Sequence, residues 1–307
     1  MAKFLRTEIR SASEGALIEA ATLIGDGLPV AVPTETVYGL AADATNAEAV
    51  ARIYEAKGRP SFNPLIVHVP DLGAAERIGI FSKEARALAE GHWPGPLTLV
   101  VPKREDAGIA DIVTAGLETI AIRIPAHPAM RMLLEMVGRP LAAPSANASG
   151  SISPTTAAHV KKSLEGRIAL ILDGGAAKRG IESTIIAATD GRLRLLRRGP
   201  IDVADAVEED RGTIEAPGQM ESHYAPSKPL RLDAREAEEG EILIGYGEVE
   251  GELALGKDPV SAAARLFAAL HEADASPYPR IAVAPVPGDG LAAAIRDRLR
   301  RAAAPRT

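Results

Sequence analysis

Residues 33–68 decide the fold, and they read PTETVYGLAADATNAEAVARIYEAKGRPSFNPLIVH. The stretch begins with a turn rich in hydroxyl groups, after which apolar residues recur with a helical period over residues 47–56. Gly and Pro end this helix, and an Asn-Pro pair leads into a predicted strand, residues 65–69, that carries His68. Polar side chains therefore stand at the ends of these elements, where proteins usually display their binding groups.

Two cations, Lys57 and Arg59, follow the predicted helix directly. Basic residues in the last turn of a helix interact favourably with its dipole, and this effect alone would account for either side chain. Together with the amide of Asn63 and the imidazole of His68, the two cations also suit an anion-binding site. The local pattern leaves both interpretations open.

The composition is that of a globular protein with more than one core. The chain has 307 residues, of which 46% are hydrophobic and 25% charged, and a single core usually stops growing below this length. We therefore expect a large domain and a smaller one. The sequence has no cysteine, which excludes disulfides and thiolate metal sites, and no apolar run of membrane-spanning length, so we predict a cytoplasmic protein.

The net charge limits the kinds of molecule that the protein is expected to bind. A formal net charge of −6 argues against a protein that coats nucleic acid, because such a protein needs a broad basic face. A local anion site is compatible with this charge, since clustered cations dominate the field within a Debye length of about 8 Å. The sequence has no P-loop, no dinucleotide fingerprint and no metal-ligand spacing of histidines. A bound nucleotide would thus be held by another kind of site.

Residues 119–125 alternate strictly between the two faces of a predicted strand. Three isoleucines share one face, and Arg123 lies on the other face among small residues. An arginine solvated at a sheet edge and an arginine lining a cleft would both give this pattern.

Serine and asparagine recur in LAAPSANASGSISP, after a short apolar strand that ends at Ala143. Small residues let a ligand approach the backbone, and hydroxyl, amide and N–H groups together can hold phosphate oxygens. A solvated linker is the alternative interpretation. Farther on, Asp190-Gly191 predicts a hairpin whose second strand, residues 192–199, carries four arginines. Alternation places Arg192 and Arg194 on one face but does not say which arginine meets a ligand.

The character of the sequence changes after residue 203. Residues 204–229 are first acidic and then rich in turn residues, which predicts a linker, and they contain the pair His223-Tyr224. This pair suits either a lid over a ligand or an anchor that fixes the linker. From residue 230 two predicted strands alternate with two predicted helices, which indicates a small α/β domain.

Three other aromatic side chains are predicted to have no binding role. Trp93, in a turn rich in Pro and Gly, is expected to pack in a core. His159 and His271 fall in predicted helices, and we expect both at the surface.

These motifs together resemble the YrdC/Sua5 family, whose hallmarks are the PTET-YGL turn, Lys-x-Arg, an Asn-Pro-Leu strand, and APSAN followed by SG-S. The resemblance covers the whole chain and implies an α/β fold with a YrdC-like twisted mixed sheet, whose helices form a concave basic cleft. It further implies a small Rossmann-like α/β domain of the Sua5 type. The expected ranges are 1–203 for the catalytic domain, 204–229 for a linker folding over the active site, and 230–307 for the C-terminal domain.

The resemblance also implies an activity. Enzymes of this kind combine L-threonine, bicarbonate or CO2, and ATP into L-threonylcarbamoyl-AMP and diphosphate. The product feeds a downstream transferase machinery that modifies the adenosine next to the anticodon in transfer RNAs reading ANN codons. Direct contact with tRNA is compatible with this role but is not required by it, and Mg²⁺ is expected to arrive bound with ATP rather than at a metal site of the protein.

Site residues follow from the resemblance by position in the motifs. The residues expected around threonine are Thr36, His68, Arg123, Ala143 and Ser183. The residues expected to contact ATP are Lys57, Arg59, Asn63, Thr119, Ser145, Asn147, Ser153, Arg197 and Tyr224. Lys57, Arg59 and His68 are expected to be catalytic, with Lys57 close to the phosphates and His68 either a general base or a group that positions threonine.

Two other functions fit parts of this pattern. A YrdC-type domain with a concave basic surface suits an RNA-binding module, although the net acidity and the lack of interleaved aromatic residues count against it. Related domains also occur in carbamoyl-transfer enzymes that use carbamoyl phosphate. Those enzymes carry additional zinc-finger segments, which a chain without cysteine does not supply.

Overall fold

The computed structural model describes residues 6–208, 215–217 and 223–305, and these residues form two β-sheets with helices packed on them. The strands of the larger sheet are Glu8–Ser11 (β1), Val30–Val32 (β2), Gly39–Asp43 (β3), Ile66–His68 (β4), Leu97–Pro102 (β5), Thr119–Arg123 (β6), Leu141–Ala142 (β7), Leu170–Asp173 (β8), Thr184–Ala187 (β9) and Arg194–Arg197 (β10). The strands of the smaller sheet are Leu230–Arg231 (β11), Glu241–Gly245 (β12), Leu253–Ala254 (β13) and Arg280–Val283 (β14). The helices are Glu14–Gly25 (α1), Ala47–Lys57 (α2), Leu72–Ile78 (α3), Lys83–His92 (α4), Asp111–Thr114 (α5), Pro128–Val137 (α6), Ala157–Leu164 (α7), Pro259–Ala275 (α8) and Leu291–Ala303 (α9).

The larger sheet is mixed, which confirms the predicted fold class. Its spatial order is β1-β8-β2-β3-β7-β4-β6-β5-β9-β10, with β4 parallel to β6 and β5 antiparallel to β6. In this register His68 of β4 lies directly beside Arg123 of β6. The sheet therefore brings together two predicted site residues that are far apart in the sequence.

The predicted alternation of β6 is confirmed. Ile120 and Ile122 are buried in the largest apolar core, whereas Ala121 belongs to a separate core on the other face. Arg123 lies on the same face as Ala121 and is only 4% exposed. It is therefore a buried residue and not an arginine solvated at the sheet edge.

Local sequence signals set the ends of α2. The side chain of Asn46 accepts hydrogen bonds from the backbone N–H groups of Glu48 and Ala49, which caps the first turn. The helix ends at Lys57, and the next residue, Gly58, has a left-handed backbone (φ 59°) that glycine adopts without strain. The helix thus stops between Lys57 and Arg59, the two cations predicted to meet an anion.

Some elements differ from the sequence-based prediction. β3 follows the PTET turn directly, and it was missed because all five of its residues are buried, so its sequence does not alternate. The sequence after the serine-rich loop predicts a helix from Pro154 to about Leu164. α7 instead begins at Ala157, because the Thr156 hydroxyl accepts a hydrogen bond from the His159 N–H and caps the helix there. The other elements that were not predicted are β1, α3, α5, β11 and β13.

The predicted hairpin of β9 and β10 is confirmed, but a bulge interrupts it. The pairing register shifts between Leu195 and Arg197, and such a shift breaks the alternation of faces. As a result both Arg194 and Arg197 are buried. Arg192, predicted to share a face with Arg194, is exposed because the strand begins only at Arg194.

The smaller sheet is entirely parallel and carries α8 and α9. Its apolar core also includes Val37 of the PTET turn, Ile152 of the serine-rich loop and Ile181. We call residues 230–305 the C-terminal unit. It packs directly on two of the segments that were predicted to bind a ligand.

The domain limits themselves stay predictions. β10 ends at Arg197 and β11 begins at Leu230, and residues 209–214 and 218–222 of the predicted linker lie outside the described residues, as do residues 1–5 and 306–307 of the flanking ranges. None of the helices that the structure describes has both the length and the apolar character needed to cross a membrane.

The prediction of surface positions for His159 and His271 is wrong. Their rings stack with centroids 3.8 Å apart, His159 on α7 and His271 on α8, and both side chains are half-buried. The C-terminal unit covers α7 at this point, and helical periodicity alone does not reveal a contact between two separate units.

Candidate active site

A cleft opens where the PTET turn, the ends of β4 and β6, and the segment after β7 meet. The residues that line it are Thr34, Thr36, Val37, Gly39, Arg59, Ile66, His68, Arg123, Ala143, Pro144, Ser145, Glu182, Arg197, Pro217, His223 and Tyr224. The predicted site residues among them are Thr36, Arg59, His68, Arg123, Ala143, Ser145, Arg197 and Tyr224. Most of the residues that the motifs select thus converge on one concavity.

Arg123 is fixed in this cleft by three contacts. Its Nε donates to the carbonyl of Gly95 at 3.1 Å, Nη1 to the hydroxyl of Thr36 at 3.0 Å, and Nη2 to a carboxylate oxygen of Glu35 at 2.5 Å. A guanidinium has five N–H donors, so two of its hydrogens have no acceptor among the described residues. Arg123 is therefore held in one orientation and still has donors for a ligand.

Glu35 is a charged partner of Arg123. Burial by itself would raise the pKa of Glu35, but the charge of Arg123 and its hydrogen bond lower that pKa, with help from the Ala126 N–H. Glu35 is thus a carboxylate at neutral pH. It was quoted within the PTET motif but was given no role, because a motif does not show which side chain faces which.

His68 is a neutral imidazole in this environment. Burial, together with the nearby charge of Arg123, lowers its pKa to about 3, although Glu35 acts in the opposite direction. Its Nδ1 is buried and has no hydrogen-bond partner among the residues the structure describes. An efficient general base has a pKa near the working pH, so these properties favour a positioning role.

Lys57 lies beneath the cleft and does not appear among the described residues that line it. Its Nζ donates to the carbonyls of Ser145 at 2.5 Å and Asn147 at 2.6 Å, and the side chain is 2% exposed. Burial and the charge of Arg59 lower the pKa of Lys57 well below its usual value. The lysine therefore fastens the APSAN segment to the end of α2.

Arg197 approaches the cleft from the end of β10. Its Nε donates to the carbonyl of Ser183 and its Nη2 to the Ser183 hydroxyl, both at 3.0 Å. That hydroxyl also bonds the Thr98 hydroxyl at 2.7 Å. Gly199 makes this close packing possible, since a Cβ there would lie 2.4 Å from the backbone nitrogen of Thr184. The glycine at position 199 thus has a steric cause.

Three described residues of the predicted linker line the cleft: Pro217, His223 and Tyr224. The carbonyl of Pro217 accepts a hydrogen bond from Arg197 at 3.3 Å. Tyr224 is 1% exposed, and its ring lies 4.1 Å from that of His223, centroid to centroid. Burial lowers the pKa of His223 to about 3, so this imidazole is neutral as well.

Arg59 and Asn63 share a turn at the edge of the cleft. Arg59 donates to the backbone carbonyls of Asn63 and Pro64, and the Tyr54 hydroxyl also donates to the Asn63 carbonyl at 3.1 Å. Burial lowers the pKa of Arg59 to about 10, so its guanidinium is charged at neutral pH. The turn holds this cation without a carboxylate partner among the described residues.

The remaining predicted residues lie around the cleft rather than on its wall. Asn147 is 1% exposed and donates to the carbonyls of Ala148 and Ser151. The Ser153 hydroxyl donates to Glu182 at 2.5 Å. Thr119 begins β6 and pairs with Pro102, at the opposite end of the strand from Arg123. For these residues contact with ATP stays a prediction.

Two groups of side chains can be distinguished. The Arg123 cluster consists of Glu35, Thr36, His68 and Arg123. The Arg197 cluster consists of Ser153, Glu182, Arg197 and Tyr224. Glu182 was missed by the sequence analysis, although it directly precedes Ser183, because a carboxylate was not expected in a cleft for anions.

Comparison with known proteins places this geometry in context. A model of the Sua5/YciO/YrdC family, described as telomere recombination, matches residues 22–199, and a model described as the C-terminal domain of threonylcarbamoyl-AMP synthase matches residues 181–304. The threonylcarbamoyl-AMP synthase of Bacillus subtilis is 39% identical over 97% of this chain and 95% of its own length. That of Pyrococcus abyssi is 40% identical over 92% of each chain.

A solved structure is similar over the same extent. The crystal structure of P. abyssi Sua5 complexed with L-threonine covers 97% of this chain and 97% of its own, with a TM-score of 0.88 and 37% sequence identity. At this coverage the similarity extends over both sheets.

Proposed function

The chain belongs to the Sua5/YciO/YrdC family, and we propose that it is a threonylcarbamoyl-AMP synthase, an ATP-using enzyme of the nucleotidyltransferase type. Its substrates are L-threonine, bicarbonate or CO2, and ATP. Its products are L-threonylcarbamoyl-AMP and diphosphate, with water as a further product when bicarbonate is the carbon source. The observation that carries the proposal is the placement of Arg123, beside Thr36 and His68, in the same cleft as Arg59 and Arg197.

Arg123 is suited to bind the carboxylate of threonine. Its guanidinium is oriented by Glu35, Thr36 and Gly95 before any ligand arrives, and two hydrogens remain for a bidentate contact. A donor that is already oriented loses little entropy when the ligand binds. His68 and Thr36 are placed to contact the rest of the amino acid, and they set the position of its amine.

The amine of threonine must first become a carbamate. With CO2, the uncharged amine forms a C–N bond to its carbon and loses a proton, and with bicarbonate a C–O bond of bicarbonate also breaks and water leaves. A carbamate oxygen then attacks the α-phosphorus of ATP, and the bond from that phosphorus to the diphosphate breaks. This displacement needs no covalent intermediate with the protein. It needs alignment of the reactants and protection of the carbamate from water.

Arg59 and Arg197 supply positive charge for the triphosphate. Both guanidinium groups are buried, and charges in such an environment act more strongly than at the surface. Lys57 lies beneath the same wall with its pKa lowered by burial. A bound polyphosphate would stabilise the charged form of this lysine, so we expect ATP binding to raise the pKa of Lys57.

We propose that Mg²⁺ enters bound to ATP. The described residues contain no group of three or more His, Cys, Asp or Glu side chains that could hold a metal, and Mg²⁺ commonly keeps water and phosphate oxygens as ligands. The ion would offset phosphate charge when bound. The arginines and hydroxyl groups of the cleft would contact the phosphates to which the ion is bound.

The product is a mixed anhydride of a carbamate and AMP, which is a reactive acyl donor. We propose that it passes to a downstream transferase that modifies the adenosine next to the anticodon of transfer RNAs. The lining of the cleft by Pro217, His223 and Tyr224 supports retention of this labile product until transfer.

The experiment that tests the proposed function measures diphosphate release from ATP and Mg²⁺ with L-threonine and bicarbonate. Release that requires both threonine and bicarbonate is the expected result, with much less release when L-serine replaces threonine. Identically purified Arg123→Met protein controls for contaminating ATPases. Folded protein that releases no diphosphate under any of these conditions would overturn the proposal, and salt-dependent RNA binding would then favour the RNA-binding function.

A further inference from the structure

Arg298 is a buried cation that the proposed reaction does not use. It lies on α9 of the C-terminal unit, and its side chain is completely buried, with 0% exposure. An arginine is almost never fully buried unless its charge is paired. The partners of Arg298 therefore indicate what this buried charge does.

The first partner is Glu182, which lines the cleft. Nε of Arg298 donates to one carboxylate oxygen of Glu182 at 2.9 Å, and the other oxygen accepts the hydroxyl hydrogen of Ser153 at 2.5 Å. Arg298 thus fixes a carboxylate that in turn fixes Ser153, one of the residues predicted to contact ATP.

The second partner is the backbone beside Arg197. Nη2 of Arg298 donates to the carbonyl of Arg198 at 2.9 Å. Arg197 itself donates to Ser183 through two of its nitrogens. The contact from Arg298 therefore ties α9 to the end of β10, where Arg197 enters the cleft.

The third partner is the ring of Tyr224. The guanidinium carbon of Arg298 lies 5.3 Å from the ring centroid, within the range of a cation–π interaction. Tyr224 has a left-handed backbone (φ 64°), which is uncommon for a residue other than glycine. Its hydroxyl is buried without a hydrogen-bond partner among the described residues. Contacts from the surroundings must hold this residue in place.

The charge on Arg298 is permanent. Burial by itself would lower its pKa, but Tyr224, Glu182 and Asp297 act in the opposite direction and the pKa is raised above its usual value. The same arginine offsets the charge of Glu182, which would otherwise repel the phosphates of a bound nucleotide.

We propose that Arg298 is the positioning residue through which the C-terminal unit shapes the ATP-binding part of the cleft. It touches three separate segments at once and sets the relative positions of Ser153, Arg197 and Tyr224. This inference rests on the proposed function. It gives Arg298 a task in nucleotide binding and not in threonine binding, since the described contacts of Arg298 do not reach the Arg123 cluster.

Removal of Arg298 alone would leave the carboxylate of Glu182 buried without its main partner, so R298M is expected to fold poorly. The double variant E182Q/R298M removes both charges and is the informative protein. Its reference is the single variant E182Q, because these two proteins differ only at residue 298. The matched control is E272Q/R265M, which removes an ion pair of the same two residue types on α8, where the side chains are 46% and 45% exposed.

The measurements are KM for ATP, KM for threonine, kcat and the melting temperature of these proteins. Relative to E182Q, the double variant is expected to raise KM for ATP about tenfold, as is typical for residues that share one network. KM for threonine should change by less than about twofold. The single variant R298K should show a smaller rise in KM for ATP than E182Q/R298M, because lysine keeps the positive charge. The control E272Q/R265M is expected to match the wild-type protein.

An unchanged KM for ATP in E182Q/R298M would overturn the inference. So would a parallel loss of threonine and ATP affinity with a lowered melting temperature, because Arg298 would then be only a structural residue. If wild-type protein releases no diphosphate, the proposed function fails, and equilibrium binding of ATP to the same variants still decides the role of Arg298.

Discussion

The Arg123 cluster and the Arg197 cluster face the same cleft but are held together in different ways. Arg123 lies on a strand of the larger sheet, His68 lies beside it on the neighbouring strand, and Glu35 and Thr36 come from one turn. The Arg197 cluster draws its members from four separate segments, and Arg298 of the C-terminal unit joins three of them. One half of the site is thus built by the sheet, and the other by tertiary contacts between units.

This difference predicts that the two clusters respond separately to mutation. Residues in one hydrogen-bond network do not act independently, and no hydrogen bond between described residues joins a member of the Arg123 cluster to a member of the Arg197 cluster. Substitutions in the Arg123 cluster should therefore change threonine binding, and substitutions in the Arg197 cluster should change ATP binding. The predictions below test this separation.

The largest effect is expected from Arg123→Met, made in the Glu35→Gln protein and compared with it so that no unpaired carboxylate is left buried. This change removes the proposed partner of the threonine carboxylate, and loss of one partner of a buried charge pair costs about 2–5 kcal/mol. We expect kcat/KM for threonine to fall about 10³-fold, which corresponds to ~4 kcal/mol, while KM for ATP changes little. Diphosphate release at varied threonine and varied ATP measures both quantities.

Two further variants complete this test. Arg123→Lys keeps the charge but not the fork geometry, so it should recover only part of the activity. Arg86→Met removes an exposed arginine from α4 and should behave like the wild-type protein. An equal rise of both KM values in Arg123→Met would contradict the separation of the two clusters.

A second prediction concerns Gly199, where space rather than backbone conformation requires glycine. A Cβ at this position would lie 2.4 Å from Thr184 N and 2.8 Å from the Glu182 carbonyl oxygen. Gly199→Ala must therefore displace backbone that carries the Arg197 cluster, at a cost of about 1–3 kcal/mol in the free energy of unfolding. We also expect a higher KM for ATP. Urea unfolding and diphosphate release measure these effects.

The control is the same substitution in an open environment. Gly15 lies in α1 with nothing within 4 Å of a Cβ built there, so Gly15→Ala should stabilise the protein by about 0.5–1 kcal/mol. If Gly199→Ala were as stable as the wild-type protein, the close approach of β10 to the Glu182 segment would not be a constraint.

The Arg123 cluster was also the more predictable of the two from sequence. Alternation along β6 placed Arg123 opposite the isoleucines, and the signals that end α2 fell where the structure has them. Glu35 lies within the quoted PTET motif. Its ion pair with Arg123, however, depends on the tertiary contact between the PTET turn and β6, which no local sequence pattern predicts.

The arrangement of the Arg197 cluster could not be predicted from local sequence patterns. A bulge in β10 reverses the alternation that would have sorted the arginines of the hairpin. Arg298 lies seven residues after Leu291, on the apolar face of α9, and an arginine at such a position was an available signal for a buried charge. Its partners Glu182, Arg198 and Tyr224, however, lie far earlier in the chain, and helical periodicity does not reveal them.

A third prediction separates the two roles considered for His68. Because its pKa is about 3, the imidazole is neutral at pH 7 and is a weak base. His68→Asn keeps a polar group that can contact the amino acid, so we expect KM for threonine to rise about tenfold with kcat nearly unchanged, as for loss of one hydrogen bond. Steady-state kinetics at saturating ATP and bicarbonate measure both parameters. A large fall in kcat with KM unchanged would instead support a base.

The smallest effect is expected where the two units meet, at His159 and His271. Their pKa values are lowered by burial to about 4 and about 3, and the charged groups that face the two rings are Lys162, Glu272 and Asp274. In the unfolded chain the two histidines bind protons near pH 6.5. In the folded chain they stay neutral until the pH approaches about 4 for His159 and about 3 for His271. The contribution to stability is therefore complete above about pH 6.5 and is lost progressively as the pH falls toward 3.

His159→Phe keeps an aromatic ring against His271 but removes one of the two titrating groups. The slope of unfolding free energy against pH between about 6.5 and 4 should become smaller, by at most ~1.4 kcal/mol per pH unit. His68 and His223, whose pKa values are also lowered to about 3, keep part of the slope in this variant. Urea unfolding at several pH values measures the change. An unchanged slope would show that the contact between the units is insensitive to acid, and that the acid sensitivity arises within the cleft itself.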